Sequence, residues 1–352
     1  MKLQIEPEAF RALIADAAMP VKRRAFPILE CLLLRAKDNE LRATGTDMET
    51  TAVARTDAAV SDPGDAVVRA SDLVRMSNSA TSLITIELID SGLSLSTTAF
   101  SVTLPVMPVA EFPAKLAKPE NEVEIEGGAE AVAFAMDHSD GASQDPHRAG
   151  VNFVQNLCFA GAGSWGAALP IRDDGAEACI PGSALPHIKK INGRLFIGDR
   201  MWRAERENLM LIGALVEGVL NLPPKLFAPD LDFFTVDADD FLSAIESATL
   251  GRAREVVVTV SGETLTVTGS RFDATHADTC ATCRCDGAEG TQVFSVKQVA
   301  NAIRPFRGSI LRASLNEVAT IFSAEGGDGR CTVVGNMRDS RVSLPAKEKE
   351  AA

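Results

Sequence analysis

At 352 residues the chain is too long for one ordinary domain, and two or three are expected. Its 46% hydrophobic content supplies packed cores, but no apolar run reaches membrane-spanning length, and zero Tyr with 5% aromatics leaves few platforms for stacking single-stranded bases. A net charge of −13 argues against nucleic-acid binding unless the charge is unevenly spread, and an odd seven cysteines behind a start (Met1-Lys2-Leu3-Gln4-Ile5-Glu6) that lacks an apolar signal core predict reduced thiols in a cytoplasm.

Residues 3–19 read as strand then helix, with Phe10, Leu13, Ile14 and Ala17 on one helical face. From Ile28 to Arg35 a short apolar run without Gly predicts a buried strand, and Asp38-Asn39-Glu40 a polar turn. Leu41 to Thr44 and Thr50 to Val53 continue as strands around Gly45-Thr46-Asp47, a β-meander opening a mixed domain. Val67 to Met76 predicts a second helix. Ile84, Ile86 and Leu88 then alternate with polar residues, Asp90-Ser91-Gly92 turns, and Leu93 and Leu95 resume, which predicts a hairpin. Pro105 to Pro119 predicts a linker, because proline cannot donate to a ladder.

The strand–helix opening recurs at 123–138 and 234–250, with Ile5, Ile125 and Val236 as matching positions 120 and 111 residues apart. The second helix recurs at 179–191 and 293–303, and a hairpin at Val256, Val258 and Val260 turns through Ser261-Gly262 into Leu265 and Val267. Leu222 to Pro229 is a second proline-rich joint. A unit above 100 residues is too long for a solenoid. The pattern predicts an α+β chain of three sequential domains of one fold (1–118, 119–229 and 230–352), each with two helices and antiparallel sheets; three unrelated α+β domains are the alternative.

Pro27-Ile28-Leu29, followed by Thr44-Gly45-Thr46-Asp47 with Glu49 two positions on, resembles the first domain of the bacterial sliding clamp, the beta subunit of DNA polymerase III. The threefold plan extends the resemblance over the whole chain. It implies three tandem clamp-type domains, closing head to tail as a homodimeric ring with helices lining the hole and strands forming the outer wall. It further implies a cytoplasmic, non-enzymatic processivity factor without cofactor or membrane. Such a factor encircles double-stranded DNA without reading sequence, is placed there by a clamp loader, and tethers the replicative DNA polymerase through a peptide-binding pocket. The second domain is shorter than the family's by roughly a hairpin.

Sliding needs weak, sequence-blind attraction to phosphates. The resemblance assigns that role to Lys22, Arg23, Arg24, Arg75, Arg148, Lys189, Lys190, Arg194 and Lys297, with Arg252, Arg254, Arg304 and Arg307 as further candidates; taken singly, each also fits an ordinary solvated charge. Where the family often opens its second helix with Arg-Lys, this chain has Ala70-Ser71 and Gly182-Ser183, so DNA attraction is weaker or relocated there. For the peptide pocket the resemblance points to Val151, Trp165, Pro229, Ala253, Val342, Leu344 and Pro345. The family's His- and Arg-bearing second-domain loop aligns with Gly161-Ala162-Gly163-Ser164-Trp165-Gly166, which has neither. These departures motivate an alternative: a clamp-derived interaction protein that binds loader or polymerase without encircling DNA.

Other signals carry less. His276, Cys280, Cys283 and Cys285 form H-x3-C-x2-C-x-C, a possible zinc set or thiol centre. The C-x-C end is awkward for zinc, and the segment fits a strand with residues 283 and 285 on one face. Asp237, Asp239 and Asp240 fit a helix start. His138, His147 and His187 are isolated, and there is no P-loop, dinucleotide fingerprint or nucleophile elbow.

Overall fold

The computed structural model describes residues 1–22, 26–113, 119–154, 156–163, 165–172, 177–220, 232–250, 253–270, 279–314 and 319–337. They form two compact units: Met1–Met136 with Gly150–Asn156 and Ile171–Val219, and Asp137–Ala149 with Leu157–Pro170 and Leu220–Ala352.

The first unit opens with strand Lys2–Ile5 and helix Pro7–Ala17, whose buried residues are Phe10, Leu13, Ile14 and Ala17, as the periodicity predicts. Pro27–Glu30 is a 3-10 turn, and the buried strand begins at Cys31, not Ile28. Pro27 explains the shift, since its fixed φ and missing N–H suit the first position of a helical turn. Cys31–Lys37 pairs with Glu40–Thr46 through a two-residue turn at Asp38 and Asn39, both at positive φ (52° and 59°). That left-handed pair matches the twist of the flanking strands.

These strands belong to a nine-stranded antiparallel sheet. Its order is Val106–Met107, Gly64–Arg69, Cys31–Lys37, Glu40–Thr46, Thr50–Asp57, Leu209–Ala214, Met201–Arg206, Arg194–Ile197 and Val123–Ile125. The first and second repeats thus share one sheet, joined where Val53 faces Met210. A five-stranded sheet runs Ala59–Asp62, Lys2–Ile5, Ile84–Ile89, Gly92–Ser96, Ser101–Leu104. Helix Pro7–Ala17 packs on Ala70–Ser79, and Gly128–Ala135 on Leu185–Ile191. The expected linker after Pro105 is in part structured. Val106 and Met107 pair with Val68 and Val67, and Phe112, 5% exposed, packs against Cys31, Leu33 and Val67. Prolines at 105 and 108 flank this short edge strand, where no ladder donor is lost.

In the second unit ten strands run in the order Leu157–Ala162, Trp165–Pro170, Cys331–Gly335, Ala319–Ala324, Ile310–Ser314, Phe233–Asp237, Cys280–Gly287, Thr264–Ser270, Glu255–Ser261, Gly290–Ser295. Helix Ala238–Ala248 packs against Val296–Ile303 over a core in which the ring of Phe322 lies 6.5 Å from Phe241 and 6.2 Å from Phe294. Asp237 caps the first helix, its carboxylate accepting from the backbone N–H of Asp239 (2.9 Å) and Asp240 (3.0 Å), which accounts for the acidic run. The strand–helix opening therefore recurs at the three predicted places, and the fold class is α+β.

Candidate DNA-facing and peptide-binding surfaces

The basic candidates fall on different elements. Lys22 is exposed just past the first helix and, with Arg69 at the start of Ala70–Ser79, borders a groove of about 540 Å³. Arg69 also approaches Glu30 at 3.9 Å. Arg23, Arg24 and Arg252 lie outside the described residues. Arg75 donates to Asp72 at 2.9 Å, and Arg148, in the short helix Pro146–Ala149, lies 3.7 Å from Asp145. Lys189 and Lys190 are exposed in the last turn of Leu185–Ile191, where a helix favours cations. Lys297 is exposed in the first turn of Val296–Ile303. Arg194 sits on a strand, bonded to Glu124 (2.9 Å), 3.5 Å from Glu205 and stacked over Phe196. Arg304 bonds Asn301 at 2.8 Å, Arg307 lies 3.5 Å from Asp239, and Arg254 is exposed.

Taken together, the six repeated helices carry five basic residues (Arg11, Arg75, Lys189, Lys190, Lys297) and seven acidic ones (Glu8, Asp16, Asp72, Glu130, Asp239, Asp240, Glu246). Exposed positive charge is local, in the last turn of Leu185–Ile191 and at Lys22. Burial, with help from Lys22 and Lys190, lowers the pKa of His187 and opposes a further positive charge there.

The Thr44–Asp47 motif builds a turn. The buried Asp47 carboxylate accepts from the backbone N–H of Glu49 (3.1 Å) and Thr50 (2.8 Å), which presents Met48, 68% exposed, at φ 77°. Glu49 in turn accepts from Ser183 Oγ at 3.2 Å. Ser183, one of the residues standing where the family often has Arg-Lys, thus contacts the motif loop. No sequence spacing could reveal this contact between residues 134 positions apart.

Of the pocket candidates, Trp165 is half-buried, faces Val334 on the adjoining strand and lies 5.1 Å from the ring of His138. His138, isolated in sequence, is buried against it. Val151, buried, pairs with Ile180 in the first unit, and Ala253 is half-buried in the second. Pro229, Val342, Leu344 and Pro345 lie outside the described residues. Cys283 and Cys285 share the inward face of their strand, and burial pushes the Cys283 thiol up to about 12. Among the described residues no three His, Cys, Asp or Glu side chains are grouped to hold a metal ion; His276 lies outside them.

Residues 1–116 match the family model of the DNA polymerase III beta subunit, N-terminal domain, a span that contains both motifs of the first domain. Similar solved structures are a DNA polymerase III subunit beta from Pseudomonas aeruginosa (TM-score 0.84, 19% identity, 96% of this chain, 100% of that one) and a DNA polymerase sliding clamp from Caulobacter crescentus (0.85, 17%, 96%, 100%). A third is a DNA polymerase sliding clamp from Bacillus subtilis (0.86, 18%, 96%, 99%). The chain has the bacterial sliding-clamp fold. No curated protein sequence gives a match. Among the described residues, no helix of this clamp-fold chain is long and apolar enough to cross a membrane.

Proposed function

We propose that the protein is a non-enzymatic DNA sliding clamp. It acts as a cytoplasmic homodimer of three domains per chain, bounded near residues 118 and 229, that encircles duplex DNA. It tethers the replicative polymerase through a peptide pocket that includes Trp165 and is loaded by a clamp loader. The observation that carries this reading is the clamp fold over 96% of the chain, together with the family match of its first 116 residues. Lys22, Lys189, Lys190 and Lys297 are exposed and suit weak contacts to phosphates.

A second reading, a clamp-derived protein that binds loader or polymerase without encircling DNA, is favoured by the excess of acidic over basic residues on the six helices. One experiment separates the two. The protein is loaded onto nicked circular DNA with a clamp loader from the same source, free protein is removed, and the DNA is then linearised. Retention on the circle and loss from the linear form is the expected result. Retention on both means ordinary electrostatic binding. Retention on neither, with a loader active on a known clamp, favours the second reading.

A further inference from the structure

The solvent face of the nine-stranded sheet holds arginines in register. Arg35 stands directly opposite Arg42, and Arg42 directly opposite Arg55, on three neighbouring strands. Like charges so placed repel. Asp65, opposite Arg35 on its other side, relieves that residue with bonds of 2.9 and 3.1 Å. Arg42 shares Glu40 of its own strand at 2.9 Å. Arg55 is treated differently. Its guanidinium donates to the backbone carbonyl of Glu207 at 3.3 Å, and among the described residues it has no carboxylate partner. Next to Arg55 on the same face, Val53 and Met210 stand opposite each other as an apolar strip. Arg42, Arg55 and the strip line one groove of about 670 Å³. In a chain of net charge −13 this is a place where positive charge is gathered and left without full internal compensation.

We propose that this groove docks an acidic peptide segment of a partner protein, with carboxylates on Arg42 and Arg55 and one apolar side chain over Val53 and Met210. Guanidinium groups pair carboxylates in two-bond geometry, and an apolar anchor beside the charged pair supplies the burial that makes such contacts hold. The apolar pair Val53 and Met210 beside the arginines offers burial to a side chain of a peptide, which a phosphate backbone cannot supply, and so favours peptide over nucleic acid. The inference is independent of whether the protein encircles DNA.

The test is fluorescence anisotropy on the full chain at low and physiological salt. The probe is a labelled dodecapeptide of Asp and Glu with a single central Leu, compared with the same peptide carrying Lys for Asp and Glu and with one carrying Ser for Leu. The acidic Leu peptide is expected to bind, the Lys peptide not, and the Ser peptide several-fold more weakly. Arg55→Glu is expected to weaken binding about tenfold or more, and Arg42→Gln several-fold. Arg55→Gln keeps a donor for the Glu207 carbonyl, so it reports charge loss without loosening the turn; unchanged thermal unfolding of this variant confirms an intact fold. Acidic and Lys peptides binding alike, indifference to the Arg55 and Arg42 variants, or displacement by an equal charge of duplex DNA that itself depends on Arg55 would each overturn the proposal.

Discussion

Asp47 shows how one side chain fixes a loop. Its carboxylate replaces two backbone acceptors, and the turn it holds sets the start of strand Thr50–Asp57. Asp47→Ala should cost about 1–2 kcal/mol in urea unfolding, while Asp47→Asn, which keeps an acceptor oxygen, should lose less than half of that. Equal losses would show that the negative charge, not the acceptor geometry, holds the turn. Cys331 makes a second case. Burial pushes its thiol up to about 12, while in the unfolded chain it ionises at an ordinary thiol pKa of about 8.5. The native state thus favours the neutral thiol. That stability is fully present below the unfolded value and is lost as pH rises toward the folded one. Unfolding free energy should therefore fall between about pH 8.5 and 12, and Cys331→Ala should flatten the fall. An unchanged slope would assign the fall to other buried thiols, Cys158 first among them, since burial raises its pKa further still.

Elements are held at their edges by contacts that differ in worth. Edge strand Val123–Ile125 has three ladder partners and two flanking arginines. Arg203, its side chain 13% exposed, bonds Glu122 at 2.7 Å and lies 3.8 Å from the centre of the Phe196 ring. Arg194, 59% exposed, bonds Glu124. Solvent screens the second pair far more than the first. Arg203→Ala should destabilise by about 2 kcal/mol and Arg194→Ala by less than about 1 kcal/mol, compared by denaturant midpoints. The reverse order would refute the ranking by burial. The segment after Pro105 depends on Phe112 in the same way. Phe112→Ala should cost about 3 kcal/mol and expose the Cys31 thiol to alkylation, since the ring covers Cys31, Leu33 and Val67. Failure to label Cys31 in that variant would show that Val106–Met107 alone protects it.

For the whole molecule, charge is the main question the fold raises. With five basic and seven acidic residues on its six helices, a ring of this chain would bind DNA through a few local lysines. On the clamp reading, reversing Lys189 and Lys190 to Glu should shorten retention on circular DNA severalfold at about 0.15 M salt, with only a small fall in melting temperature from the unfavourable charge at the helix C-terminus, because both side chains are exposed. Unchanged retention would mean that topology alone holds the ring on DNA.

The first third of the chain was the most legible. Alternation at Ile84, Ile86 and Leu88 and the helical face of Phe10, Leu13, Ile14 and Ala17 are local patterns, and local periodicity sets which face is buried; the turn expected at Gly45-Thr46-Asp47 begins two residues later, because the strand Glu40–Thr46 pairs through Gly45 and Thr46. The threefold recurrence was legible for the same reason. Sequence placed the start of strand Cys31–Lys37 three residues early, because an apolar run does not reveal where a proline turns the chain. It read Val106 to Phe112 as linker, because nothing local says that Phe112 finds Cys31, Leu33 and Val67. The pairing of Trp165 with His138 and the bond from Ser183 to Glu49 join residues far apart in the chain, and the row Arg35, Arg42, Arg55 is visible only once the register of two successive hairpins is fixed. The sequence by itself determined the elements, their repeat and the resemblance to the clamp, since these follow from spacing along the chain. Only the tertiary structure decided which strands from distant parts of the chain neighbour one another, and therefore which distant charges meet, because turn geometry fixes register only within a hairpin.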